Sequence, residues 1–171
     1  LWAALPAAGV QVRCPARVEA MEQDADGVTL RLDDGTRIDA RLAVAADGGD
    51  STLRRLAGLE VAAHDYAQRG VVAFVRTGEP HEDTAWQRFL PSGPLAFLPF
   101  ADGLSSIVWT LPDAEAERVL ALDEATFGRE LTQAMGGQRG EVALASPRAA
   151  FPLKRQLARD YVAGRVIVAG D

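Results

Sequence analysis

The chain has 171 residues, 48% hydrophobic and 25% charged, with a formal net charge of −6. That composition excludes a mainly disordered chain, and at this length about 70% of the unfolded surface can be buried without a disulfide or metal staple. The acidic balance argues against electrostatic binding to nucleic acid. Cys14 is the one cysteine, and His64 and His81 are the two histidines, which excludes an internal disulfide and a cysteine- or histidine-built metal site.

In chain order, Trp2, Leu5 and Val10 read as the tail of a helix. Residues 17–46 read as β structure: Val28, Leu30 and Leu32 alternate with polar residues, Asp34-Gly35 supplies a hairpin turn, and 36–40 return antiparallel. Leu-Ala-Val-Ala-Ala at 42–46 is continuous and apolar, as in a strand buried on both faces. Asp47-Gly48-Gly49-Asp50 breaks it, and Ser51 is placed to cap a short helix over 52–57. Four strands are expected next, at 66–76, 84–90, 95–100 and 104–111, forming an antiparallel meander. Two helical runs follow, the first capped by Asp113 and the second by Asp123 and ending before Gly136-Gly137. A strand at 141–150, a connection at 154–161 and a buried strand at 165–169 complete the reading. The fold class is α/β (α+β for this length of chain): part of a Rossmann-like domain at 1–62, an antiparallel sheet with helix at 63–152, and a return strand at 153–171. Both ends fall in mid-pattern, as in an internal piece of a longer protein.

Two apolar strands ending in a glycine and an aspartate, at 47–48 and 170–171, carry the most information. In open α/β sheets, ligands bind beyond the carboxyl ends of the strands. A carboxylate there accepts ribose hydroxyls, glycine lets a phosphate approach the backbone, and an arginine fork suits phosphate. Asp-Gly at 26–27, 34–35 and 102–103 is ordinary turn chemistry, because none of those pairs follows a buried strand.

Asp47-Gly48-x-x-Ser51-x-x-Arg54 resembles the DG motif of class A FAD-dependent aromatic hydroxylases, of the p-hydroxybenzoate hydroxylase fold. Arg-Val-Ile-Val-Ala-Gly170-Asp171 is similar to the start of that family's second flavin motif. Gly93-Pro-Leu-Ala-Phe-Leu-Pro99, Phe151-Pro-Leu153 and Ala158-x-x-Tyr161 resemble its ubiquinone-biosynthesis branch. The sequence departs from the pattern at Gly49, where the family usually has alanine. The glycine fingerprint for the ADP half of FAD would lie upstream of Leu1, and the loop that cradles the flavin ring beyond Asp171.

The resemblance implies an NAD(P)H-dependent FAD monooxygenase that hydroxylates a phenol or quinol ring through a flavin C4a-hydroperoxide, the ring being a ubiquinone-biosynthesis intermediate. A secondary-metabolite aromatic hydroxylase is the alternative within the class. The other alternative is that the isolated chain is an inactive, colourless substrate-binding or assembly module. Asp47, Gly48, Ser51, Arg54, Gly170 and Asp171 are the implied cofactor contacts; the catalytic residues stay unassigned. Arg88, Phe97, Pro99 and Trp109 are candidates for the substrate lining, against the common alternative that aromatic residues of a meander are core. The reading includes a small aromatic substrate, plain or polyprenylated, and no nucleic acid. It extends to a homodimer or hydroxylase assembly, and to a cytoplasmic protein peripheral at the inner membrane.

Overall fold

The computed structural model describes residues 2–170. They form a mixed α/β structure divided into two compact units, one comprising Leu1–Ala63 and Gln156–Asp171, the other His64–Arg155. The amino-terminal stretch is two 3-10 turns, Trp2–Ala4 and Pro6–Ala8, rather than the tail of an α-helix. Pro6 has no N–H to continue a helical ladder, and Gly9 at φ +74° ends the second turn.

β1 (Val18–Gln23), β2 (Val28–Leu32) and β3 (Arg37–Ala40) make an antiparallel sheet in chain order. Asp34 anchors the β2–β3 turn by accepting the Thr36 N–H at 2.8 Å. β4 (Ala43–Ala45) buries Ala43 and Ala45, but Val44 is 53% exposed, so among the described residues only one of its faces is covered. α1 (Thr52–Leu56) follows, and Leu53 packs with Val28, Ala43 and Ala45 in the small core of this unit.

The chain leaves this unit within β5 (Val61–Thr77). β6 (Trp86–Leu90), β7 (Gly93–Pro99) and β8 (Ser105–Pro112) form a meander, but β5 pairs with β8 and not with β6. The four strands therefore do not follow one another across the sheet as the simple meander expectation had them. α2 (Asp113–Ala121) and α3 (Glu124–Ala134) cover one face of this sheet. Asp123 caps α3 by accepting the Thr126 N–H at 2.8 Å. Asp113 is no cap: it is the first helical residue, and its carboxylate accepts from Arg69 Nε at 3.1 Å.

The strand expected at 141–150 is two strands, β9 (Val142–Leu144) and β10 (Ala149–Ala158). Pro147 lacks the N–H needed to continue a ladder, and the neighbouring Ser146 hydroxyl takes the Phe74 N–H instead, at 2.8 Å. β10 occupies much of the stretch expected to be a connection. Most of its residues are exposed, so no period-2 alternation marked it. β11 (Val162–Ala163) and β12 (Val166–Val168) close the chain, and β12 pairs in parallel with β4, Val166 opposite Ala43 and Val168 opposite Ala45.

The second unit holds the larger core. Phe127 and Leu131 of α3 and Val119 of α2 are fully buried against Leu95, Phe97 and Ile107 of the sheet. α3 has no basic residue in its last turn, and Arg88 of β6 compensates by donating to the Ala134 carbonyl at 2.8 Å. Arg148 does the same for the end of α2, donating to Val119 O at 3.0 Å and Leu122 O at 2.6 Å.

Candidate functional site

The residues at 47–54 form one hydrogen-bonded loop, all of it local. One oxygen of the Asp47 carboxylate accepts the Ser51 hydroxyl; the other accepts the N–H groups of Thr52 at 2.8 Å and Leu53 at 3.4 Å. Ser51 Oγ in turn accepts the Arg54 N–H at 3.0 Å. Gly48 turns the backbone at φ +81°, which a residue with a Cβ adopts only under strain. Both Asp47 oxygens are thus engaged in holding the loop onto α1.

Arg54 lies inside this loop at 8% exposure. Its guanidinium donates to Gly49 O at 3.0 Å and to Leu59 O at 3.3 Å, and it meets no carboxylate among the described residues. A guanidinium has five N–H donors, so donors remain. A buried charge with no counter-charge is costly, and bringing an anion to it relieves that cost.

β4 and β12 end side by side, tied by Ala169 N–H to Ala45 O at 3.0 Å. At those ends opens a cavity of about 240 Å³ whose walls include Gly48, Gly49, Arg54, Gln156, Tyr161 and Gly170. No carboxylate lines it among the described residues. The N–H groups of Gly48, Gly49 and Gly170 have no acceptor among the described residues. The cavity therefore joins a buried cation and a carboxamide to glycine backbone that a ligand can approach closely, with Ala45, Val61, Leu157, Ala158, Val168 and Ala169 as its apolar walls. Those features suit a phosphate or diphosphate group. The structure brings Gly48, Arg54 and Gly170 together at this cavity, with Asp47 and Ser51 holding the loop; Asp171 lies outside the described residues.

Burial pushes the Asp47 carboxyl up, but the hydrogen bonds from the Ser51 hydroxyl and the Thr52 and Leu53 N–H groups outweigh it. The group is held below its ordinary value of 3.8. A carboxyl with a lowered folded-state value stabilises fully above that ordinary value and loses its contribution as pH falls through the lowered one. The thermal midpoint advantage of the wild type over Asp47→Asn is expected to be constant from pH 7 down to about pH 5. It should shrink below pH 3.8. Melting both proteins across that range checks this, and an advantage that grows in acid would contradict it.

The four substrate-lining candidates fall elsewhere. Phe97 (1% exposed) and Trp109 (6%) point to the helix-covered side of the sheet and belong to the core. Trp109 Nε1 is buried with no partner among the described residues. Arg88 is occupied at the end of α3, and Pro99 is half-buried at the end of β7, opposite Ser105. These positions fit packing, not lining. The opposite face of the same sheet is open. Phe74 and Leu98 flank Ser106 in one cross-strand row, Val108 and Ala96 pair in the next, and Phe89 stands 83% exposed at the edge. Sequence reasoning missed this face and Gln156. The period-2 parity of β7 was a usable signal, but both of its faces are apolar. His81 Nε2 donates to Phe100 O (3.0 Å) and its Nδ1 accepts the Asp83 N–H (3.0 Å), which ties two turns together.

The profile of the FAD binding domain family matches residues 1–171. Ubiquinone hydroxylase UbiL of Rhodospirillum rubrum is 38% identical over 167 residues, covering 98% of this chain and 38% of that protein. The 3-demethoxyubiquinol 3-hydroxylase of Escherichia coli is 35% identical over 174 residues, covering 100% of this chain and 44% of that protein. Among solved structures, the OxyS anhydrotetracycline hydroxylase of Streptomyces rimosus superposes with a TM-score of 0.62 at 28% identity, over 95% of this chain and 33% of that one. The chain thus spans less than half the length of these relatives.

Proposed function

The chain belongs to the FAD binding domain family, and from that membership we propose that it is the part of an FAD-dependent monooxygenase that grips the dinucleotide and carries a substrate-facing sheet. The observation that carries this reading is Arg54, a buried guanidinium with no carboxylate partner among the described residues, set in a cavity at the ends of two parallel strands. Arg54 would donate to the diphosphate of FAD, and Gly48 and Gly170 would let its chain approach the backbone. Asp47 and Ser51 fix the loop that aims Arg54. Asp171 would accept a ribityl or ribose hydroxyl, in line with the motif it completes. Bound FAD supplies electron transfer from NAD(P)H and activation of O₂.

The reaction class is ring hydroxylation: an aromatic C–H, O₂, NAD(P)H and a proton give the phenol, water and NAD(P)⁺. The ring is a phenol or quinol of ubiquinone biosynthesis, a reading supported by the two hydroxylases that the whole chain resembles at 35–38% identity. The open sheet face in the second unit would hold the apolar body of such a substrate, in place of Phe97 and Trp109. An apolar substrate with a long tail suits work at a membrane surface, in an assembly or as a homodimer; no described helix is long and apolar enough to cross a membrane.

The test uses the complete flavin-loaded protein. It is expected to be yellow, to consume NAD(P)H, and to add one oxygen atom from ¹⁸O₂ to a prenylated phenol. NAD(P)H consumption without labelled product from any phenol or quinol would overturn the hydroxylase reading.

A further inference from the structure

The carboxamide of Gln156 lies across Gly49. A Cβ built on Gly49 would stand 2.7 Å from Gln156 Oε1 and 3.3 Å from its Cδ, so the glutamine occupies the space that a side chain at 49 would take. Gly49 has no positive φ, and its backbone would accept alanine. What the missing side chain provides is a seat for the amide. The carbonyl of the same glycine accepts from Arg54 at 3.0 Å. One residue thus fixes a buried cation through its oxygen and a carboxamide through its bare Cα. Gln156 and Arg54 both line the cavity, and Gln156 is exposed there, so its carboxamide is open to a ligand.

We propose that Gln156 is a ligand-contacting residue of this cavity, donating its carboxamide N–H to a phosphoryl oxygen of the bound dinucleotide beside the Arg54 guanidinium. The inference rests on the FAD reading above. A neutral amide suits this position. It supplies a donor in a cavity that already holds one buried cation, without adding a second charge that would need its own desolvation. It also accounts for Gly49, where the resembled pattern usually has alanine: a methyl group there would push the amide off its seat.

The experiment measures binding of FAD by flavin fluorescence quenching and of ADP by calorimetry. The proteins are the complete wild type, Gln156→Ala, Gln156→Glu, Gly49→Ala and the double variant Gly49→Ala/Gln156→Ala. Losing one hydrogen bond to a charged oxygen predicts about tenfold weaker binding of both probes for Gln156→Ala. Gln156→Glu, which sets a carboxylate against the phosphate, is expected to be weaker still. Gly49→Ala should approach the Gln156→Ala value, and the double variant should be no worse than either single one, because both act through the same amide. Wild-type FAD binding that all the Gln156 variants reproduce within twofold overturns this inference and leaves the FAD reading standing. A wild type that binds ADP with the predicted Gln156 dependence but not FAD overturns the FAD reading and keeps the contact. Binding of neither probe overturns both.

Discussion

Arg54→Met in the complete protein is expected to weaken FAD binding by about 30-fold to 3,000-fold while leaving the unfolding midpoint of the flavin-free protein within a few degrees. The range comes from the cost of removing one partner of a desolvated, hydrogen-bonded charge pair, about 2–5 kcal/mol, at 1.4 kcal/mol per tenfold. The small effect on stability comes from two opposing changes. Methionine forfeits the bonds to Gly49 O and Leu59 O. It also removes a cation that is 8% exposed and has no carboxylate partner among the described residues. Breaking neutral-acceptor bonds to a charged group costs about 1.5–3 kcal/mol each, and retaining an uncompensated buried charge costs several. Arg54→Lys should fall between, because it keeps the charge and loses the fork. Flavin titrations and melts of the three proteins read the two quantities separately. A large drop in the midpoint with unchanged flavin affinity would make Arg54 a structural residue.

The loop that holds Arg54 was the most legible part of the molecule. Asp47, Gly48, Ser51 and Arg54 lie within eight residues, and their side-chain hydrogen-bond partners all lie between residues 47 and 59. Residue type and spacing suffice when every partner is local. The parallel partnership of β4 and β12 was legible for another reason: two apolar strands with the same glycine–aspartate ending stand far apart in the chain, and ladder pairing brings the ends together. What could not be read was the long-range choice between equally good partners. Arg88 finds the Ala134 carbonyl 46 positions away, and no local pattern distinguishes that from a substrate contact. β5 pairs with β8 in preference to β6, and strand periodicity carries no signal for that choice. In β7, Leu95 and Phe97 are apolar, and so are Ala96 and Leu98, so periodicity gives two faces without saying which one the helices cover.

That ambiguity yields the second large expected effect, because neighbouring residues of β7 should behave in opposite ways. Phe97→Ala empties a fully packed position beneath α3 and is expected to cost about 3–5 kcal/mol of stability. For a chain of this size that lowers the melting midpoint by roughly 6–20 °C. Leu98→Ala, next in sequence but 41% exposed, should change stability by no more than about 0.5 kcal/mol. If the open face carries the substrate, Leu98→Ala instead raises KM for a prenylated phenol by about tenfold, the worth of a few apolar carbons, and leaves kcat nearly unchanged. Phe74→Ala should follow Leu98→Ala, since both side chains flank Ser106 in one row. The combination is diagnostic because a general weakening of the sheet cannot raise KM selectively at the exposed residues and spare their midpoint. Were Phe97→Ala to fold normally and raise KM while Leu98→Ala and Phe74→Ala left it alone, the substrate would have to be placed on the helix-covered side. The core described for this unit would then be wrong.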